Sequence, residues 1–152
     1  MIKVGITQGD INGIGPEVII RTLADPRMGE LFVPIIYGAS KAFSFYRKQL
    51  GDVENFSFQI VPSARDARPK RVNLIDTCSG ELHIEPGKAT PEGGAQAIAA
   101  LRRAADDLAA GEIDVVVTAP INKENVQQAG FGFTGHTEFF ADRFGGQPLM
   151  VM

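Results

Sequence analysis

The sequence is short of several things, and each shortage excludes something. A single cysteine, Cys78, stands in 152 residues, so no internal disulfide can form and no cysteine-rich metal site can be built. A lone thiol of this kind suits a reducing compartment. A basic excess is missing. The formal net charge is -3, and basic pairs such as Lys70–Arg71 and Arg102–Arg103 are too short to make the patch that nucleic-acid binding needs. No apolar run approaches the roughly 20 residues that cross a bilayer. The N-terminus opens on a strand-like run, Ile2 to Thr7, and not on a charged region with a long apolar stretch behind it, so no signal peptide is read. A cytoplasmic protein with neither a nucleic-acid nor a membrane partner is expected. Neither Gly-x-Ser-x-Gly nor His-Glu-x-x-His occurs.

What is present reads as alternating strand and helix. Ile2–Thr7 predicts a buried strand, and Gln8–Gly15 a glycine-rich loop. Pro16 suits the first position of a helix that carries Val18, Ile19, Ile20 and Leu23 onto a sheet. Val33–Tyr37 predicts a second strand. Ser40 is a plausible N-cap for a helix with Phe43, Tyr46 and Leu50 on one face, stopped by Gly51. Phe56–Val61 and Val72–Ile75 predict strands flanking a polar loop, Pro62–Lys70. A long helix is expected from Pro91 to Ala110, with Ile98, Leu101, Ala105 and Leu108 on one face. Arg102 with Asp106 and Arg103 with Asp107 are i,i+4 pairs on its outer side, worth about 0.3 kcal/mol each and read as a solvated face. Val115–Thr118, a short helix over Lys123–Gln128, a helix capped by Thr137 and running to Phe144, and a last strand Pro148–Met152 complete the reading. The alternation predicts a layered α/β fold with a mainly parallel sheet and flanking helices. A chain that stops inside an apolar run is expected to be part of a longer protein.

Two segments carry chemistry. In Gly9-Asp-Ile-Asn-Gly-Ile-Gly-Pro-Glu17 a strand, a glycine loop and a helix start combine to offer free N–H groups to an anion, although a tight strand-to-helix turn explains the same residues. The spacing is neither Gly-x-Gly-x-x-Gly nor a P-loop. The second segment, Thr118-Ala-Pro-Ile-Asn-Lys123 with Phe133-Thr-Gly-His-Thr-Glu138, leaves the carboxyl end of a strand, where parallel sheets bind ligands. Lys123 offers a mobile cation. His136 and Thr137 stand at a helix start where a phosphate would meet a hydroxyl and free N–H groups. A helix cap is the alternative reading of Thr137, a structural histidine that of His136 and a surface lysine that of Lys123; their crowding into one strand–loop–helix unit is what favours a site. His83, in Leu82-His-Ile84, reads as a half-exposed strand residue. Cys78 reads as inert, and Glu81, Glu85 and Glu92 as loop acids without partners.

Three blocks carry a family resemblance: Thr7–Glu17, the Gly87-Lys-Ala-Thr…Gly94 approach to the long helix, and Val117–Lys123 continuing to Phe140. They resemble the 4-hydroxythreonine-4-phosphate dehydrogenase family of vitamin B6 (pyridoxal phosphate) biosynthesis, whose chains are about twice this length. The resemblance implies that residues 1–152 are the N-terminal portion of a two-domain dehydrogenase similar in fold to the isocitrate and isopropylmalate dehydrogenases. It implies NAD-dependent oxidation of 4-(phosphooxy)-L-threonine with decarboxylation to 3-amino-2-oxopropyl phosphate, and a homodimer. It also implies a divalent metal (zinc, magnesium or cobalt), with its ligands beyond Met152. The family's Gly-His-Thr substrate contacts fall on His136 and Thr137, with Lys123 assisting. Catalytic and NAD-binding residues are not assigned. A catalytically inactive module that binds a phosphorylated ligand or an interaction partner, and a paralogue acting on a related phosphorylated hydroxy acid, are the alternatives.

Overall fold

The aliphatic and β-branched runs become the strands of one sheet. The strands are β1 (Lys3–Thr7), β2 (Val33–Gly38), β3 (Gln59–Ile60), β4 (Asn73–Asp76) and β5 (Val115–Thr118). They lie in the order β3-β4-β2-β1-β5, each pair parallel. The structure, a computed structural model, describes residues 1–53 and 55–152. Parallel neighbours require crossovers, and helices supply them. Helices α1 (Gly15–Leu23) and α2 (Met28–Leu31) join β1 to β2, α3 (Ser40–Leu50) follows β2, and α4 (Pro91–Ala109) joins β4 to β5. Helices α5 (Lys123–Gln128) and α6 (His136–Phe144) come after β5. The layered α/β class expected from the sequence is the one observed.

Strand β2 is buried throughout because it is central and covered on both faces. Its side chains alternate with period two. Ile36 joins Ile6, Ile20, Phe43 and Leu74 in the core under α1 and α3, while Ile35 and Tyr37 join Ile75, Ala100 and Ala104 under α4. Helix α4 is buried on two sides. Its small residues Ala100 and Ala104 meet the sheet, whereas Ile98, Leu101 and Ala105 of the predicted stripe meet Val126, Phe131 and Phe139 around α5 and α6.

Several expectations need correction. Only Gln59–Ile60 of the Phe56–Val61 run pairs as strand, because Phe56 and Phe58 turn inward onto Phe43 and α3. Pro148–Met152 is not a strand: no neighbour pairs with it among the described residues, and Leu149 and Val151 are fully exposed. Ser40 does not cap α3. Ala39 holds that position, and Ser40 Oγ donates to Asp76. Gly135, in extended backbone, precedes α6, so Thr137 sits inside the first turn and not at the cap. His83 lies in an exposed loop, where its backbone N–H donates to Glu92 at 3.1 Å, and Glu85 pairs with Lys88, so neither acid lacks a partner. Asp106 pairs with Arg143 instead of Arg102. Arg103–Asp107 does form, yet it is no solvated face: the mostly buried Asp107 accepts the Tyr37 hydroxyl at 2.7 Å.

Candidate functional site

The carboxyl ends of β1 and β5 lie side by side, with Thr7 opposite Thr118. From there the chain diverges, to α1 on one face of the sheet and to α5, packed on α4, on the other. Such divergence opens the crevice in which parallel α/β sheets hold ligands. Gly9 lets the two loops touch. Asp10 N donates to Pro120 O at 3.0 Å, and a side chain at Gly9 would come within 2.3 Å of the same oxygen. Backbone φ at Gly9 is +69°, which favours glycine as well.

Beyond this junction opens a pocket of about 400 Å³, lined by Pro120, Ile121, Lys123, Thr134–Thr137 and Glu138. All three residues singled out in the sequence line it. Lys123 is exposed and has no ion-pair partner among the described residues. It is placed by the turn at Pro120 and by Asn122, whose Oδ1 accepts from Asn125 N at 3.1 Å and caps α5. Gly135 takes the cap position without any side-chain bond, so Thr137 stands in the first turn of α6 and lines the pocket. His136 is half-buried, and its Nε2 is buried with no hydrogen-bond partner among the described residues. Burial pushes its pKa below the usual histidine value. The ring is therefore neutral at neutral pH and offers one donor and one acceptor nitrogen. The N–H groups of a first helical turn have no intrahelical acceptor, and those of α6 open on this pocket with Lys123 beside them. Aromatic packing of Phe131, Phe133 and Phe139 fixes the base of α6.

The glycine loop behaves differently from an anion cradle. Gln8, Asp10, Ile11 and Asn12 are buried. Asp10 Oδ1 accepts from Asn12 N at 3.0 Å, and Asn12 Oδ1 accepts from Glu85 N at 2.8 Å. Asn12 Nδ2 donates to Thr90 Oγ1, the same hydroxyl that caps α4 by accepting from Gly93 N. Asp10 thus sits against the positive end of the α4 dipole, which compensates a buried carboxylate. A carbon added at Gly93 would lie 2.9 Å from Asp10 Oδ1 and 3.3 Å from both Asn12 Nδ2 and Asn125 Nδ2. This loop ties α4, α5 and the 85–90 segment together, and its polar side chains face inward. Sequence reading missed this network because its partners are 73 and 78 residues apart. Nothing in the residue types flags those pairings.

The residues present do not fit the implied metal. Among the described residues no three His, Cys, Asp or Glu side chains gather as a ligand set. Cys78 is half-buried, and burial raises its thiol pKa, which keeps it protonated.

A five-stranded parallel sheet with flanking helices defines an α/β domain, and the candidate pocket lies past the end of its edge strand. Residues 30–152 match the family described as pyridoxal phosphate biosynthetic protein PdxA, and the chain belongs to that family. It is 46% identical to a 4-hydroxythreonine-4-phosphate dehydrogenase from Bacteroides thetaiotaomicron, over 99% of this chain and 42% of that protein. A relative from Oceanobacillus iheyensis, 36% identical over 98% of this chain and 45% of its own, is named provisionally as a D-threonate 4-phosphate dehydrogenase. The crystal structure of a 4-hydroxythreonine-4-phosphate dehydrogenase from Burkholderia phymatum superposes with a TM-score of 0.85 at 28% identity, over 97% of this chain and 45% of that one. The chain therefore spans less than half the length of the relatives it matches.

Proposed function

We propose that this chain supplies the substrate-holding part of a dehydrogenase that oxidises 4-(phosphooxy)-L-threonine. The reaction in this reading is NAD-dependent and metal-assisted, and loss of CO₂ gives 3-amino-2-oxopropyl phosphate. One observation carries the reading: His136 Nε2, buried and without a partner among the described residues, belongs to a residue lining the same pocket as Lys123, Thr137 and the start of α6. A buried imidazole nitrogen without a partner costs free energy of about 1–3 kcal/mol, a cost that a bound ligand would remove. The names of the relatives support the substrate class.

In this reading the phosphate or carboxylate takes the Lys123 ammonium, the Thr137 hydroxyl and the free amides of α6. Neutral His136 donates to an anionic oxygen or accepts from the substrate hydroxyl. Glu138 gives the pocket a second sign of charge, suited to the ammonium group of a zwitterion. NAD and the metal would supply hydride acceptance and Lewis acidity from groups outside the residues described, and a homodimer is the expected working unit.

Calorimetry of this chain with 4-(phosphooxy)-L-threonine tests the reading. Saturable binding that His136→Ala and Lys123→Ala each weaken by about tenfold, the ~1.4 kcal/mol of one charged hydrogen bond, is expected. Binding that both variants leave unchanged contradicts it. A second reading, a paralogue specific for D-threonate 4-phosphate, is favoured by the Oceanobacillus iheyensis relative. Tighter binding of D-threonate 4-phosphate in the same calorimeter would select it.

A further inference from the structure

The glycine loop holds the chain's one Asn-Gly pair, Asn12–Gly13. The other asparagines precede Phe56, Leu74, Lys123 and Val126. An asparagine before glycine is chemically labile. No side chain shields the glycine amide, and glycine adopts the backbone angles that bring that amide onto the asparagine side chain. The Gly13 nitrogen attacks Asn12 Cγ and loses its proton to water. The bond from Cγ to Nδ2 breaks, ammonia leaves, and a five-membered succinimide remains. Water then opens the ring at either carbonyl and leaves aspartate or isoaspartate. The sum consumes one water, releases one ammonia and needs no oxidant.

The fold restrains both reacting groups. Gly13 N donates to Asp10 O at 3.0 Å. The Asn12 side chain is buried and held at both ends, Oδ1 by Glu85 N at 2.8 Å and Nδ2 on Thr90 Oγ1 at 3.0 Å. Its main-chain oxygen accepts from Gly87 N at 2.8 Å. Three bonds thus tie one residue to the 85–90 segment, which contains no helix or strand and is exposed from Glu85 to Ala89. Exposed segments of this kind open at low free-energy cost. We propose that Asn12 is a deamidation site gated by the 85–90 segment: when that segment lifts, Asn12 closes on Gly13 and its amide becomes an acid. The product loses the donor to Thr90 Oγ1 and carries a carboxylate in its place. Asp10 Oδ1 and Asn12 Nδ2 lie 2.9 and 3.3 Å from one point beside Gly93, so the new acid stands close to the Asp10 carboxylate. Burying a second like charge there is costly, and the modified segment does not redock as before.

Peptide mapping by mass spectrometry tests this. It follows the amide-to-acid mass change at each asparagine while the chain is held near neutral pH, folded or in urea. In urea Asn12 should be modified first. In the folded chain the same site should react at least about tenfold more slowly, because reaction proceeds only from the opened state. Thr90→Ala removes the partner of Asn12 Nδ2 and should speed the reaction severalfold in the folded chain, whereas Thr90→Ser should keep it slow. If Thr90→Ala does not fold, urea below the unfolding midpoint is applied to the unsubstituted chain. The Asn12 rate should then rise in step with amide exchange at Gly87. Modified chain, separated by its added negative charge, should melt below unmodified chain. Equal Asn12 rates in folded and denatured chain overturn the proposal. So does another asparagine reacting first in urea, or a folded Thr90→Ala chain that reacts no faster. Gly87 exchange that rises without the Asn12 rate, or a modified chain that melts no lower, overturns it as well.

Discussion

Replacing Gly94 with alanine should destabilise the chain and loosen the pocket, although alanine is the better helix former. Gly94 lies inside α4, where glycine costs about 1 kcal/mol relative to alanine. Propensity alone therefore predicts a gain. Packing opposes it. A Cβ there would stand 2.1 Å from Asn125 O, 2.5 Å from Asn125 C and 2.9 Å from Val126 N. These are backbone atoms of α5, so no rotamer change relieves the contact, and α5 must retreat by about 1 Å or more to restore van der Waals distance. Overpacking costs typically 1–3 kcal/mol, and a backbone clash belongs at the upper end. The net expectation is a loss of about 2 kcal/mol, which lowers the urea midpoint by about 1 M for a chain of this size. Lys123 opens α5, so the same displacement should weaken binding of the phosphorylated ligand. Urea denaturation and calorimetry on Gly94→Ala check both parts. A midpoint that rises, with binding unchanged, would refute the claim that the α4–α5 contact sets the pocket.

Two further predictions concern buried groups. His136 has its pKa lowered by burial, so the unfolded chain takes up the proton first. The stabilisation is complete above the ordinary histidine value of about 6.5 and is lost as pH falls through that value toward the lower folded one. Thermal melts from pH 8 to 5 should fall over this range, and His136→Gln should flatten the slope; the Asp25, Asp52 and Glu112 carboxylates, held low by their arginine partners, act only at more acid pH. Tyr37→Phe removes the 2.7 Å bond to Asp107 and should cost about 1–3 kcal/mol in urea denaturation; a loss below 0.5 kcal/mol, roughly, would show that the bond contributes little.

The elements legible in the sequence are those with local chemical punctuation. Pro16 and Pro91 open helices, and Gly51 in the left-handed region closes α3. The candidate pocket was legible for the same reason, since Lys123, His136 and Thr137 fall in one strand–loop–helix unit. Long-range polar pairs were not. Asn12 with Thr90, and Tyr37 with Asp107, join residues 70 or more positions apart, and neither partner carries a mark of the other. Pro148–Met152 misled because apolar composition permits a strand, whereas forming one needs a neighbour to pair with. The roles of Ala100 and Ala104 were hidden because alanine gives a weak apolar signal, although the sheet rests on them.

The central claim is that the pocket at His136 holds a phosphorylated hydroxy amino acid. The chain has two histidines, His83 in an exposed loop and His136 in the pocket. Titrating ¹⁵N-histidine-labelled chain with 4-(phosphooxy)-L-threonine separates them in one spectrum. The account predicts saturable shifts of the His136 ring nitrogens, with His83 unmoved and the effect diminished in Lys123→Ala. Shifts confined to His83, or none at either ring up to millimolar ligand, would contradict it.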